Sequence, residues 1–171
     1  MMKSKEMRGF TLPELMVVIA ISGILMGLGG FSVKGFRDKC DVENQVRQMH
    51  VDLLNARGRA LQGNRACFVT VTSSGYQVTE DSNGSNGSAP DNGDTALFPA
   101  PKQFRFQSRW TGTIIMDAKG ITSLSTRPLL TNAAFAIRFD TAGVDPEYDC
   151  ISIGPTRIKA GKWNGRKCAL R

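Results

Sequence analysis

The sequence predicts an α+β fold in which one long N-terminal α-helix packs on a mainly antiparallel β-sheet. Three patterns carry this prediction. Residues Phe10 to Val33 form a 24-residue apolar run whose only charge is Glu14. From Phe36 to Leu61 apolar residues recur at alternating spacings of four and three, and after Asn64 hydrophobicity alternates with a period of two. A chain of 171 residues has room for such a helix and one domain of modest core.

The apolar run comes first. At ~1.5 Å rise per residue it makes a helix of roughly 36 Å, more than a bilayer core of about 30 Å. Lys3, Lys5 and Arg8 precede it, which by the positive-inside tendency puts the N-terminus in the cytoplasm and the remainder outside. A cleaved secretory signal also opens on bases, but its apolar stretch spans only about 7 to 15 residues and ends in a small-residue site. This run is longer, carries Glu14 and has no Ala-x-Ala after it. A carboxylate at mid-membrane costs roughly 2.5 kcal/mol or more, so Glu14 calls for a dedicated partner.

The segment Arg8-Gly9-Phe10-Thr11-Leu12-Pro13-Glu14-Leu15-Met16-Val17-Val18-Ile19-Ala20-Ile21 resembles the N-terminus of type IV pilins and of the pseudopilins of type II secretion. The resemblance implies a leader, 1–9, cut between Gly9 and Phe10 by a prepilin peptidase, with N-methylation of Phe10. It implies a transmembrane and assembly helix over 10–33, an amphipathic continuation over 34–63, and a β-rich periplasmic or extracellular head over 64–171, which together are the pilin fold. Glu14 would pair with the terminal amine of a neighbouring subunit. An ammonium and a carboxylate, each costly alone in lipid, neutralise each other when subunits stagger along an axis. Pro13 stands where the family commonly has an aliphatic residue; proline is tolerated in a helix's first turn, where its missing N–H would be unpaired anyway. The implied partners are other pilin or pseudopilin subunits, the prepilin peptidase and N-methyltransferase, and the bacterial inner membrane, with no cofactor. Loss of the leader would lower the formal charge of +7 by two.

Gly23, Gly27, Gly29, Gly30 and Gly35 thin the end of the apolar run. Each costs roughly 1 kcal/mol relative to alanine in an exposed helix interior, so Gly27 to Gly30 is the expected site of bending or local melting. Small residues also let helices pack closely in a membrane. Beyond them, Val42, Val46, Met49, Leu53, Ala56 and Ala60 define one apolar face of an amphipathic helix, expected to lie on the sheet. A coiled coil would need more heptads and heavier residues at the last two positions. Gly63-Asn64 is the stop signal. The sole histidine, His50, has no second ligand type nearby and reads as a solvated or half-buried side chain.

Period-two runs follow. Cys67 to Thr72 and Tyr76 to Thr79, joined through Ser73-Ser74-Gly75, read as a hairpin. Phe104 to Phe106, Thr113 to Met116, Phe135 to Phe139 and Cys150 to Ile153 read as further strands. Asp117 to Gly120 and Asp140 to Gly143 are turn signals. Asp81 to Asp94 is an Asn/Gly/Ser-rich insertion with acids, no bases and little to bury, hence an expected mobile surface loop. Within it, Asp81-Ser82-Asn83-Gly84-Ser85 resembles a bacterial glycosylation acceptor, although such triplets arise easily in this composition.

After Asp149 there are six bases, Arg157, Lys159, Lys162, Arg166, Lys167 and Arg171, with Trp163 among them and no acid. Bases neutralise phosphates and an interleaved tryptophan stacks on an exposed nucleobase, so this stretch is a candidate DNA-binding element. Gly165-Arg166-Lys167-Cys168 partly resembles the Gly-Arg-x-Arg-like element of DNA-binding minor pilins, with cysteine in place of the second arginine. The plain alternative is a solvated basic hairpin, or one that meets acidic neighbouring subunits. Outside the cytoplasm the four cysteines can be oxidised. They allow three full pairings. A helix from Cys40 to about Gly63 carries its end roughly 34 Å away, while the four residues to Cys67 reach back only about 14 Å, which disfavours Cys40 to Cys67. Cys150 to Cys168 closes the terminal hairpin and is the preferred pair. The partners of Cys40 and Cys67 stay open, including free thiols.

No glycine-rich phosphate loop, Cys-x-x-Cys or histidine cluster is present in the sequence, and Asp145 and Glu147 sit in a proline-containing turn without a companion acid or base. The chain therefore reads as a structural subunit, with no catalytic or metal site. Its length and layout resemble minor pilins and pseudopilins of the GspH/FimT/FimU type, which implies a place near a filament tip and a part in starting assembly.

Overall fold

The computed structural model describes residues 10–84, 89–126 and 134–170, with side chains for all of these except 28–32 and 170. The leader 1–9, the second Asn-Gly-Ser triplet at 86–88 and Arg171 lie outside the described residues. The chain divides into two units, Met1–Arg37 and Asp38–Arg171. One helix, α1 (Leu12–Gly63), contributes to both.

In the first unit the helix starts as its sequence dictates. Thr11 stands just before the first helical residue, and its carbonyl accepts the N–H groups of Glu14 and Leu15 at 3.1 and 3.2 Å. The Glu14 carboxylate reaches back towards the Thr11 N–H at 3.5 Å, one half of a capping box in Thr11-Leu12-Pro13-Glu14. The helix continues without interruption across Gly27, Gly29 and Gly30, so the expected local melting is absent from this chain. A helical glycine costs only about 1 kcal/mol, and helix on both sides of the cluster outweighs that cost.

The second unit holds the core. Val42, Val46, Met49, Leu53, Ala56 and Ala60 on α1 are all buried, as their spacing predicts. Asn64 adopts a left-handed backbone (φ 48°), and the Arg65 N–H donates to the Ala60 carbonyl at 3.3 Å, so the stop at Gly63 is a Schellman-type cap. The strands are β1 (Cys67–Val71), β2 (Gly75–Glu80), β3 (Thr95–Ala96), β4 (Lys102–Gln103), β5 (Gly112–Met116), β6 (Thr122–Leu124), β7 (Phe135–Arg138), β8 (Cys150–Ile153), β9 (Ile158–Trp163) and β10 (Cys168–Leu170). They form two antiparallel sheets rather than one. The first runs β3-β2-β1-β5-β6 with β4 also on β2, and the second runs β10-β9-β8-β7. Val69, Val78, Ile114 and Met116 of the first and Ile137, Ile151, Ile153 and Ile158 of the second join Met49 and Leu53 in a single core.

The strand expected at Phe104 to Phe106 is not there. The strand nearby is β4, which ends at Gln103. Past it, the Gln45 side chain on α1 takes the place of a partner strand. Its Oε1 accepts the N–H groups of Arg105 and Phe106 at 2.9 and 3.0 Å, and its Nε2 donates to the Phe106 carbonyl at 2.7 Å. Backbone groups that must find partners have found them on the helix.

The ends of the insertion are also more ordered than its composition predicts. Asp81 is buried, and the Ser82 hydroxyl donates to the Gly93 carbonyl at 2.7 Å. Asn83 donates to Asp91 at 2.9 Å.

Candidate functional site

Two surfaces carry the residues singled out in the sequence, and each is described within its own unit. On the N-terminal unit, apolar side chains are exposed all round the helix from Phe10 to Met26: Phe10 is 80 % exposed, Ile24 65 % and Met26 78 %. A helix that is apolar on every side needs an apolar environment on every side. Among the described residues, however, no helix is long and apolar enough to cross a membrane. The expected span 10–33 includes 28–32, whose side chains are outside the described set. Glu14 is exposed in the first helical turn, where a carboxylate also suits the helix dipole. Gly9, its companion in the motif, is outside the described residues.

On the second unit, β9 and β10 form the terminal hairpin, with Cys168 opposite Trp163 and Ala169 opposite Lys162. Cys150 and Cys168 are joined in a disulfide, the expected pair, while Cys40 and Cys67 are free. The disulfide links β8 to β10 across the intervening β9. Gly161 of β9 lies beneath it: a Cβ there would stand 3.0 Å from the Cys168 sulfur and 2.3 Å from the Ala169 carbonyl oxygen. Burial pushes the thiol of Cys67 up to about 11, with Glu80 adding to the effect, so this cysteine is a core residue and not a nucleophile.

The structure sorts the five bases of this region that lie among the described residues. Lys162 is ion-paired with Asp145. The Trp163 backbone N–H donates to Asp149 at 2.6 Å, and the Arg138 guanidinium lies 5.4 Å from the Trp163 ring centroid. That ring is already partnered. Arg157, Lys159, Arg166 and Lys167 are exposed, and among the described residues they make no ion pair. Arg166 and Lys167 stand in the turn, where their backbone N–H groups donate to the Asn164 side-chain oxygen at 3.1 and 2.9 Å. His50 is half-buried and its Nε2–H donates to the Ile158 carbonyl at 3.1 Å, tying α1 to β9.

A polar cluster that the sequence patterns above do not include lies on α1. Asp38, Asp41, Gln45, Gln48 and Asp52 recur along α1 at spacings of three and four, a second stripe beside the apolar one. Arg105 pairs with Asp38 and Asp41. The buried Asp52 carboxylate accepts the Tyr76 hydroxyl, the Lys102 ammonium at 2.5 Å and Gln48 at 3.3 Å. Burial pushes the Asp52 carboxyl upward, but Lys102, Tyr76 and Gln48 outweigh burial and hold it below its ordinary value. The Tyr76 phenol is pushed far up by burial and by the adjacent Asp52. The signal was available in the helical spacing of these polar residues. Their partners, Tyr76, Lys102 and Arg105, lie too far along the chain for spacing alone to connect.

Among the described residues no group of three or more His, Cys, Asp or Glu side chains is placed to hold a metal ion. In the comparisons with known proteins, residues 5–30 match the prokaryotic N-terminal methylation motif. No curated protein and no solved structure matches the chain significantly. The motif match supports a type IV pilin-like, prepilin-type protein with a structural role, whose partners as a class are other pilins and the prepilin peptidase.

Proposed function

We propose that the chain is a minor type IV pilin, a structural subunit that incorporates into a pilus, at or near its tip, and helps to start assembly. The observation that carries this reading is the conjunction of the methylation motif with a helix apolar on all sides whose first turn holds a single carboxylate, Glu14. In this reading the peptidase cuts between Gly9 and Phe10, Phe10 becomes N-methylated, and the helix over 10–33 resides in the inner membrane until polymerisation. The new Phe10 ammonium of one subunit and the Glu14 carboxylate of the next then neutralise each other in an apolar filament core. Cleavage also removes the covalent link on the N-terminal side of Phe10, so the amine that forms is a cation only in the mature subunit.

Two substitutions test this. Glu14→Ala leaves membrane insertion intact and keeps the subunit out of sheared filaments, measured by immunoblot of the membrane and pilus fractions; normal incorporation defeats the pairing. Gly9→Val leaves the leader attached, read by the mass of the purified subunit; a mature N-terminus still at Phe10 places the cleavage elsewhere.

A minor pseudopilin of a type II secretion system uses the same N-terminal chemistry, and deletion of the gene separates the two: loss of pili supports the first, and retention of exported enzymes in the periplasm supports the second. A DNA-binding minor pilin of natural transformation is favoured by one specific observation: Arg157, Lys159, Arg166 and Lys167 are exposed and make no ion pair among the described residues. Lys162 and Trp163 already have partners within the chain. In a gel-shift titration of the full chain at low salt, DNA binding that falls on Arg166→Ala with Lys167→Ala supports that role, and no shift removes it.

A further inference from the structure

The sequence holds four Asn-Gly pairs, at 83–84, 86–87, 92–93 and 164–165, the second of them outside the described residues. An asparagine followed by glycine is chemically labile, because the glycine nitrogen can attack the side-chain amide and no Cβ obstructs it. Asn83, Asn92 and Asn164 are all exposed, so exposure does not rank them. The attacking nitrogen does.

The Gly84 N–H donates to the Asp81 carboxylate at 2.7 Å, and the Gly93 N–H donates to the Asp91 carboxylate at 2.8 Å. Attack from either nitrogen breaks that bond and develops negative charge beside a carboxylate, and both effects are unfavourable. The Gly165 N–H has no partner among the described residues. Gly165 has a left-handed backbone (φ 88°) and open space where a side chain would be. The electrophile is held as well. The Asn164 side-chain oxygen accepts the N–H groups of Arg166 and Lys167, at 3.1 and 2.9 Å, which folds the amide over its own turn. Those two donors are placed to stabilise the oxyanion that forms when the amide carbon is attacked.

We propose that Asn164 is a self-modification site of this chain. The Gly165 nitrogen bonds to the side-chain carbon of Asn164, the bond from that carbon to Nδ2 breaks, and ammonia leaves, carrying off the proton lost by the Gly165 nitrogen. Water then opens the resulting succinimide at either carbonyl, giving aspartate or isoaspartate. The product places a carboxylate between Trp163 and the exposed Arg166 and Lys167, so the apex of the basic hairpin loses one unit of positive charge. A partner that recognises this apex by its charge distinguishes newly made from aged subunits.

The test is peptide mapping of the purified full-length chain in detergent micelles at mildly alkaline pH, folded and in urea. Trypsin releases residues 163–166 as one peptide. In the folded chain this peptide gains about 1 Da, the difference between an amide and a carboxyl group, and contains isoaspartate. It does so several-fold faster than Asn83 or Asn92 reacts. In urea the three rates converge. Asn164 reacting no faster than Asn83 and Asn92 in the folded chain overturns the proposal, as does a preference that persists unchanged in urea. Asp91→Ala supplies a second arm. It frees the Gly93 N–H and accelerates reaction at Asn92, and an unaltered rate at Asn92 overturns the hydrogen-bond argument.

Discussion

The two halves of α1 obey opposite rules. From Phe10 to Met26 the large apolar side chains are exposed on every side, whereas from Val42 to Ala60 one apolar stripe is fully buried and the other faces are mainly polar, with Val51 and Leu54 exposed among them. Helical periodicity is thus informative in the second half and silent in the first. An amphipathic stripe records a boundary between core and water within one chain. A helix apolar all round records surroundings supplied by something other than its own chain.

The largest test of this contrast is truncation on each side of it. Leu53→Ala, in the core of the second unit, lowers unfolding stability by about 3 kcal/mol, because the removed atoms leave a cavity. Ile24→Ala changes it by less than about 0.5 kcal/mol, since nothing packs there within the chain. Thermal unfolding of the full chain in detergent, followed by near-ultraviolet circular dichroism, reads both. Equal effects would abolish the distinction.

Removing the disulfide comes next. Cys150→Ser with Cys168→Ser lowers stability by about 3 kcal/mol on a loop-entropy estimate and leaves the helical signal of the N-terminal half unchanged. Gly161→Ala tests the same place without touching sulfur. It hinders the disulfide, so thiol titration under non-reducing conditions finds Cys150 and Cys168 reactive in a fraction of molecules.

A smaller effect follows from the polar stripe. Asp52→Asn lowers stability by about 1 to 2 kcal/mol, through loss of a charge-assisted bond to Lys102. The pH dependence has a definite sign. The folded-state value of Asp52 is depressed below the unfolded carboxylate value of about 3.9, so its contribution is complete well above that pH and is lost as the pH falls through it and below. Urea midpoints measured from neutral to acidic pH decline less steeply for Asp52→Asn than for the parent chain.

The smallest effect is at the helix start. Glu14→Ala removes the carboxylate that faces the Thr11 N–H and suits the helix dipole, and costs about 0.5 kcal/mol of local helix stability, visible as faster amide exchange at Thr11 with no change in the head.

Local signals were legible in the sequence. The buried face of α1, the Gly63-Asn64 stop, the first hairpin and the turn at Asp117 to Gly120 depend on residues close in the chain. Two-residue strands such as β3 and β4 were not legible, because they are defined by their pairing with β2 and not by a pattern of their own. Phe104 to Phe106 departs from its sequence pattern for a related reason. Its alternation is strand-like, but its backbone partners are the Ser74 carbonyl for the Phe104 N–H and the Gln45 side chain, roughly 60 residues earlier by number, for Arg105 and Phe106. The split into two sheets was equally hidden, since period two specifies a strand and not the sheet it joins. At the candidate site, the sequence identified the basic residues but not their ranking, which rests on the Lys162 to Asp145 pair and the Arg138 to Trp163 contact.

Gln45 gives the helix a rotational reference. A single residue inserted between Gln45 and Met49 would turn one relative to the other by about 100°. The apolar stripe could then stay on the core only by withdrawing Gln45, and with it Asp41 and Asp38, from the loop that they hold. Two independent readings of one helix, one by hydrophobic contact and one by hydrogen bonds, tolerate substitution at many positions but almost no change in spacing. Among related chains, length variation should therefore collect in the insertion between β2 and β3 and be rare between Asp38 and Ala60.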